Sequence, residues 1–240
     1  MKEIVFVTGA DRGLGYALTE KYLEMGSFVA AGKFFSHSPS LDSLKKTYPD
    51  SLEVIDLDVS DIDSVKSAYS KFKTKFDRLD ILINNAGVVG DIKSTIYDEI
   101  DYDDIINTIQ INTLGPLRMI NIFIQSILSS KRKLIVNISS EAGSIENCYR
   151  TNWFGYSISK SGLNMESNLL QNELREKGVQ VLLFHPGWLR TMMNGKLDER
   201  APTLPEEAAE RLVNNINKYK RYNLEHPAYI DNDTGEILPW

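Results

Sequence analysis

Short apolar runs alternate with longer amphipathic stretches along the whole chain. The runs cover residues 4–7, 28–31, 52–57, 79–83, 134–138 and 179–184, with a weaker one at 228–230. They are rich in Val, Ile and Leu and do not alternate with polar residues. Such runs suit strands buried on both faces, as in a parallel sheet covered by helices. Between them, helical spacing predicts helices over residues 14–25, 41–48, 62–76, 102–129, 156–177 and 206–219. The last opens on Pro205-Glu206-Glu207, a composition suited to a first helical turn. Repeated β-α-β alternation predicts an α/β fold, a doubly wound Rossmann-type sheet of about seven mostly parallel strands with helices on both faces. No linker, repeat or low-complexity tract interrupts the pattern, so residues 1–240 are expected to form a single domain.

Composition narrows the function classes. The chain carries a net charge of −6 with 42% hydrophobic and 25% charged residues. That balance argues against a general nucleic-acid surface, which needs a basic face. The lysines at 66–75 are spaced by apolar residues and read as a solvated helix face. Cys148 is the single cysteine, so no internal disulfide forms. His37, His185 and His226 lie far apart, and no Cys/His cluster has metal-ligand spacing, so no metal is expected. Met1-Lys2-Glu3 runs directly into an apolar strand, and no stretch approaches the ~20 apolar residues of a membrane span. The expectation is a reducing, cytoplasmic setting with no membrane partner.

The first strand ends in Thr8-Gly9-Ala10-Asp11-Arg12-Gly13-Leu14-Gly15, and a helix follows. Glycines there let the backbone turn tightly and approach a pyrophosphate, while the helix N-terminus offers free N–H groups and its positive dipole end. A plain glycine-rich β-α turn is the bland alternative; its place between an N-terminal strand and a helix favours nucleotide binding. The end of the second strand tests which dinucleotide. An acid there bonds a ribose 2′-hydroxyl, whereas a base accommodates a 2′-phosphate. The residue is Lys33, and Arg12 adds a second cation, so NADP(H) is favoured over NAD(H).

Tyr156 and Lys160 stand four residues apart, on one face of a helix. A free tyrosine has a pKa of about 10 and is a poor acid or base at neutral pH. A neighbouring ammonium favours the phenolate, so the expectation is a Tyr156 pKa drawn toward neutrality. The phenol can then pass a proton to a carbonyl oxygen, or take one from an alcohol. Taken alone, such a pair is a surface aromatic beside a solvated charge. The upstream glycine turn and the strand-end pair Ser139-Ser140 change that balance.

These motifs resemble the classical short-chain dehydrogenase/reductase family. The matches run in the family's order: Thr8 to Gly15, Asn84-Asn85-Ala86-Gly87 closing strand four, Asn112 in Ile111-Asn112-Thr113-Leu114-Gly115, Ser140, Tyr156 with Lys160, and Pro186-Gly187 with Thr191. The segments His185-Pro186-Gly187-Trp188-Leu189-Arg190-Thr191 and Gly235 to Trp240 are similar to the sniffer-like carbonyl reductase and C-factor subgroup. The resemblance implies a catalytic set of Ser140, Tyr156, Lys160 and Asn112. Ser140, not Ser139, would steady the substrate oxygen, and strand alternation sends the two to opposite sides. Lys160 would also hold ribose hydroxyls, and Asn112 would anchor a water that links Lys160 to solvent. The implied cofactor-binding residues are Gly9, Asp11, Arg12, Gly13, Leu14, Gly15, Lys33, Asp58, Val59, Asn85, Ala86, Gly87, Tyr156, Lys160, Pro186, Gly187, Trp188 and Thr191. Asp58 and Val59 would meet the adenine, although Asp58 could equally cap the helix starting near Asp61. Asn85 could equally serve only to tie adjacent strands.

Fifteen residues separate Ser140 from Tyr156, more than in many classical members. This segment holds Cys148, Tyr149, Arg150, Trp153 and Phe154; the aromatics are expected to pack the loop in preference to lining the substrate cavity. Cys148 has no base placed beside it by sequence, so a nucleophilic role is not expected. Residues 190–204 hold few apolar anchors and read as a mobile lid, with the cofactor half at about 1–90 and the catalytic half at about 91–240. The expected function is NADPH-dependent reduction of a small aldehyde or ketone. The alternatives are a C-factor-like signalling or dinucleotide-binding protein and an NAD-dependent alcohol dehydrogenase. The resemblance also implies a homodimer or homotetramer built on the two long helices.

Overall fold

The computed structural model describes residues 2–193, 195–222 and 225–240. Among them, seven strands form one sheet: β1 (Ile4–Val7), β2 (Phe28–Lys33), β3 (Leu52–Asp56), β4 (Ile81–Asn84), β5 (Leu134–Ile138), β6 (Gln180–His185) and β7 (Ala228–Asp231). Their order is β3-β2-β1-β4-β5-β6-β7, and every pairing between them is parallel. The helices are α1 (Gly13–Glu24), α2 (Pro39–Thr47), α3 (Ile62–Lys73), α4 (Tyr102–Asn112), α5 (Leu114–Leu128), α6 (Phe154–Leu174) and α7 (Pro205–Asn217). This is the doubly wound architecture that the uninterrupted apolar runs imply.

Every residue of β1, β4 and β5 is buried, because helices cover both faces of the sheet. On one face α1 and α7 pack Leu14, Leu18, Leu212 and Ile216 against Val5, Val7 and Val29. On the other, α3 and α5 pack Val65, Phe72, Met119 and Phe123 against Phe6, Leu82 and Ile135. Phe6 and Phe72 meet Phe123 edge-on, with centroids 5.0 and 5.4 Å away. Each such side chain stabilises the fold by about 1.5–3 kcal/mol through removal from water. Among the described residues no helix is long and apolar enough to cross a membrane.

The direction of strand addition reverses at β1, which lies between β2 and β4. The chain leaves β1 toward β2 and β3, then crosses back to β4. Loops at the carboxyl ends of β1 and β4 therefore diverge and leave a crevice, the usual ligand position in such sheets.

The predicted helix over residues 102–129 is two helices. α4 ends at Asn112, Thr113 departs to φ −108° and ψ −66°, and α5 restarts at Leu114. Pro116 supplies the reason: it lacks an N–H and its ring collides with the carbonyl four residues back, so it belongs in a first turn. The break leaves Asn112 at a helix end, its side chain buried.

Candidate active site

The glycine turn folds against the exit of β4. Gly9 has φ +63°, and a Cβ on it would lie 2.9 Å from Ala86 Cα. A Cβ on Gly15 would come within 2.1 Å of the Gly9 carbonyl oxygen. Thr8 Oγ1 accepts hydrogen bonds from the N–H groups of Asn85 and Ala86, each at 3.0 Å. Asn85 Nδ2 donates back to the carbonyls of Thr8 and Gly9 at 2.9 and 3.2 Å. Asn85 thus ties the two strand ends together. α1 has no side-chain cap and no acid in its first turn. Its first N–H groups and positive dipole end remain available to an anion, which fits a dinucleotide pyrophosphate.

Two residues of this edge behave differently from expectation. The Asp11 carboxylate is buried and accepts from the N–H groups of Phe34 and Phe35 at 2.9 and 3.2 Å, fastening the loop after β2 to the glycine turn. Lys33, the last residue of β2, pairs with Asp56 at 2.8 Å. An acid therefore does stand at this edge, contributed by β3, where counting along β2 could not find it. The parallel register sets Lys33 beside Asp56. Arg12 stacks on the Phe35 ring at 4.7 Å. Among the described residues no carboxylate pairs with it, so it is the uncompensated cation here. Asp58 does not cap α3; Asp61 does, accepting from Asp63 N at 2.9 Å. Asp58 instead accepts from the Ser60 N–H and hydroxyl, and Val59 packs against Gly115.

Ser139 and Ser140 follow the end of β5 and meet different residues of α6. Ser139 donates to Asn164 Oδ1 of α6 at 2.7 Å. Ser140 stands beside the Tyr156 phenol and acts to lower its pKa, while its hydroxyl donates to Glu141 Oε2 at 2.6 Å and accepts from the Ala142 N–H at 3.2 Å. Tyr229 on β7 donates its hydroxyl to the Ser140 carbonyl. Tyr156 and Lys160 are both buried on α6. Gly87 lies against Asn112 and Lys160: a Cβ there would be 3.1 Å from Asn112 Oδ1 and 3.8 Å from Lys160 Nζ.

The electrostatics correct the expected phenol acidity. Burial pushes Tyr156 up to about 12; the Ser140 hydrogen bond opposes this, the Glu141 carboxylate adds to it and Arg150 opposes it. The Lys160 ammonium is not among these influences. It donates to the Ile138 carbonyl at 2.8 Å, and burial lowers its pKa to about 8. Sharing a helical face brings two side chains near, but desolvation here outweighs their attraction.

Asn112 is tied into the fold by its amide. Its Oδ1 accepts from Val88 N at 2.9 Å, and its Nδ2 donates to the Val88 carbonyl at 2.8 Å and to Ser159 Oγ at 3.0 Å. Both amide donors are engaged in holding the loop after β4 to α6, so a water can meet this side chain only at the remaining Oδ1 lone pair.

After β6, Gly187 has φ +93° and packs on Asp233, while Thr191 lies 3.3 Å from the Cβ position of Gly13. The loop containing Pro186, Gly187 and Trp188 thus reaches over the glycine turn. Trp188 is exposed and donates to Asp198 at 3.1 Å. The segment read as a lid is fastened at its base: Arg190 N donates to the Thr203 carbonyl at 2.9 Å, and Ala201 is buried. Asn194 within it lies outside the described residues.

Trp153 sits nearer the chemistry than its reading as loop packing implies. Its backbone is left-handed, with φ +67°, and its ring meets Tyr156 edge-on at 5.8 Å. Arg150 covers the other side of the indole at 4.9 Å and pairs with Glu141. Glu141, His185 and Tyr229 are the site-edge residues that sequence reasoning missed. Glu141 carried a signal, a charge directly after the serine; His185 and Tyr229 arrive only through the β5-β6-β7 order. Cys148 is exposed and takes no part.

A family model described as short chain dehydrogenase matches residues 3–202. The chain belongs to the short-chain dehydrogenase family. This oxidoreductase family membership agrees with the motif order and the crevice geometry. The chain is 31% identical over 202 residues to 3-oxoacyl-(acyl-carrier-protein) reductase FabG of Thermotoga maritima, covering 83% of this chain and 79% of that protein. It is 31% identical over 162 residues to C-signal of Myxococcus xanthus, covering 68% of this chain and 93% of that protein. An NADPH-bound carbonyl reductase from chicken fatty liver superposes with TM-score 0.87 and 26% identity, covering 100% of both chains. This short-chain dehydrogenase is therefore of the carbonyl reductase and C-factor type in sequence and fold.

Proposed function

We propose that the chain is an NADPH-dependent carbonyl reductase that converts a small apolar aldehyde or ketone to its alcohol. The observation that carries this reading is the buried Tyr156 phenol, beside Ser140 at the exit of β5 and one helical turn from Lys160. The dinucleotide, when bound, supplies hydride to the carbonyl carbon. Gly9, Arg12, Gly13, Leu14 and Gly15 would hold its pyrophosphate side, Lys33 and Arg12 the 2′-phosphate, and Asp58 and Val59 the adenine. Asn85, Ala86 and Gly87 line the same trough, with Tyr156 and Lys160 toward the ribose and Pro186, Gly187, Trp188 and Thr191 over the nicotinamide end. The bound group of the chicken enzyme supports NADPH by likeness, and the uncompensated Arg12 supports it by charge.

Tyr156 gives its phenolic proton to the carbonyl oxygen. Burial keeps the phenol neutral and protonated, so the proton is in place, at the cost of a weaker acid. Ser140 donates a hydrogen bond to the same oxygen as charge develops there. Lys160 and Asn112 return a proton from solvent after each turnover. The exposed Trp188, Met192 and Met193 at the crevice favour an apolar substrate.

On α6, Ile158, Met165 and Leu169 are exposed, and this face is proposed to pair with a second copy as a homodimer or homotetramer, which sedimentation would test. The activity is tested by NADPH consumption with a panel of small aldehydes and ketones, comparing wild type with Tyr156→Phe. Turnover lost in the variant is the expected result. Cofactor binding without turnover favours a binding protein of the C-signal kind, and tighter NAD(H) than NADP(H) favours an NAD-dependent alcohol dehydrogenase.

A further inference from the structure

We propose that Glu141 is a positioning residue that fixes the Ser140 hydroxyl beside Tyr156, with Arg150 as its strut. This rests on the carbonyl-reductase reading of the same site.

A serine hydroxyl is a free rotor unless an acceptor fixes its hydrogen. Glu141 Oε2 is that acceptor at 2.6 Å, and it is itself held by the Ala142 N–H at 2.9 Å. With the hydrogen directed at Glu141, the Ser140 oxygen, which already accepts from the Ala142 N–H at 3.2 Å, is held in one orientation beside the phenol. Ser140 and Glu141 then form one polarised hydrogen-bonded pair at the site. An arriving carbonyl oxygen accepts the Ser140 hydrogen in place of Glu141 and accepts the phenol hydrogen as well. One acceptor replaces another, and the only proton that changes owner is that of Tyr156.

The carboxylate is held from several elements. Arg150 binds Oε1 and stacks on Trp153, whose backbone is left-handed and whose ring meets Tyr156 edge-on. His185 Nδ1, at the end of β6, lies 3.6 Å from Oε2 and is buried without a hydrogen-bond partner. Burial pushes the Glu141 carboxyl up, but the Ser140 hydroxyl, His185, Arg150 and the Ala142 N–H together leave it below the ordinary range. It is therefore ionised beside Tyr156.

The charged and titratable groups facing the phenol are Glu141 after β5, Arg150 before α6, Lys160 on α6 and Tyr229 on β7. His185 on β6 acts through Glu141. Of these, Glu141 is the negative charge that opposes phenolate formation. Its consequence has a sign: the protonated, donating form of Tyr156 persists to higher pH with Glu141 than without it.

The test is the pH profile of kcat/KM in both directions for wild type, Glu141→Gln and Glu141→Ala. In Glu141→Gln, the alkaline limb of reduction and the acidic limb of alcohol oxidation should both move down by on the order of one pH unit. Glu141→Ala should also lose roughly tenfold in kcat with the KM for NADPH unchanged, since Gln can still accept from Ser140 and Ala cannot. Limbs that coincide with wild type in both variants overturn the proposal, as does a uniform rate loss with no movement of either limb. A second measurement is independent of turnover. The ring-labelled tyrosine NMR resonance that disappears in Tyr156→Phe should change position in both Glu141 variants. If it moves while wild type reduces no carbonyl, the reductase reading falls and the positioning role stands. If wild type turns over and the resonance and both limbs stay fixed, the positioning role falls.

Discussion

Lys160 donates its hydrogen bond to the Ile138 carbonyl at 2.8 Å, although its Nζ lies only 5.7 Å from the centre of the Tyr156 ring. The two side chains are neighbours without sharing a hydrogen bond. Each instead carries the cost of its own burial: Tyr156 holds its proton to about 12, and Lys160 releases its proton near 8.

That cost makes Lys160 a stability liability in the free protein. Between its folded value of about 8 and its ordinary value of 10.5, the unfolded chain binds a proton that the folded one does not. Stability therefore climbs with pH across that window, and below it the folded state bears the full penalty. Lys160→Met should raise Tm at pH 7, with a gain that shrinks toward pH 10. Turnover should fall by at least about 100-fold. Calorimetry across pH together with the NADPH assay checks both halves; a Tm that drops at pH 7 contradicts the argument.

Glu166 on α6 tests the same physics with the opposite sign. Burial raises its pKa to about 8, and its Oε1 has no hydrogen-bond partner. From its ordinary value of 4.5 up to about 8, the folded state binds a proton that the unfolded chain lacks, so stability falls as pH rises. Glu166→Gln should raise Tm at pH 8 by on the order of a few degrees and change it little at pH 4.5. Equal gains at both pH values would refute the assignment.

Cofactor choice should follow Arg12 more than Lys33. Asp56 already neutralises Lys33 at 2.8 Å, whereas Arg12 only stacks on Phe35. Arg12→Ala should weaken NADPH by about 10- to 100-fold, the worth of one charge-assisted hydrogen bond, and leave NADH unchanged. Asp56→Asn should tighten NADPH by releasing Lys33. Fluorescence titration of both cofactors against the three proteins reads this directly.

The glycine turn permits a comparison of steric and conformational cost. A Cβ at Gly15 would lie 2.1 Å from the Gly9 oxygen and 2.5 Å from Asn85 Nδ2, so Gly15→Ala must open the turn and abolish cofactor binding. Gly26 has φ +83° but nothing within 4 Å of its Cβ position. Gly26→Ala should cost about 1–2 kcal/mol of stability and leave binding intact. Loss of binding in both would show that the effect is global.

The parallel sheet was readable because strands buried on both faces must be apolar at every position, as β1, β4 and β5 are. The glycine turn and the Tyr156–Lys160 spacing were readable because they are local, within one loop or one helical turn. The single helix over 102–129 is two helices, with Pro116 marking the break; apolar residues run on through Thr113 although α4 packs on α6 and α5 while α5 lies on the sheet.

Order along the chain thus determined the fold class, the crevice and the candidate pair Tyr156 and Lys160. Packing decided the rest. Whether Tyr156 is more or less acidic than a free phenol depends on how much water its pocket excludes. Whether Lys33 faces a phosphate or a carboxylate depends on β3 lying beside β2. Whether Ser140 has a fixed hydrogen depends on Glu141, Arg150 and Tyr229 meeting from three elements. Desolvation and charge pairing act through distance in space, and residues far apart in sequence acquire that distance only when the sheet closes around them.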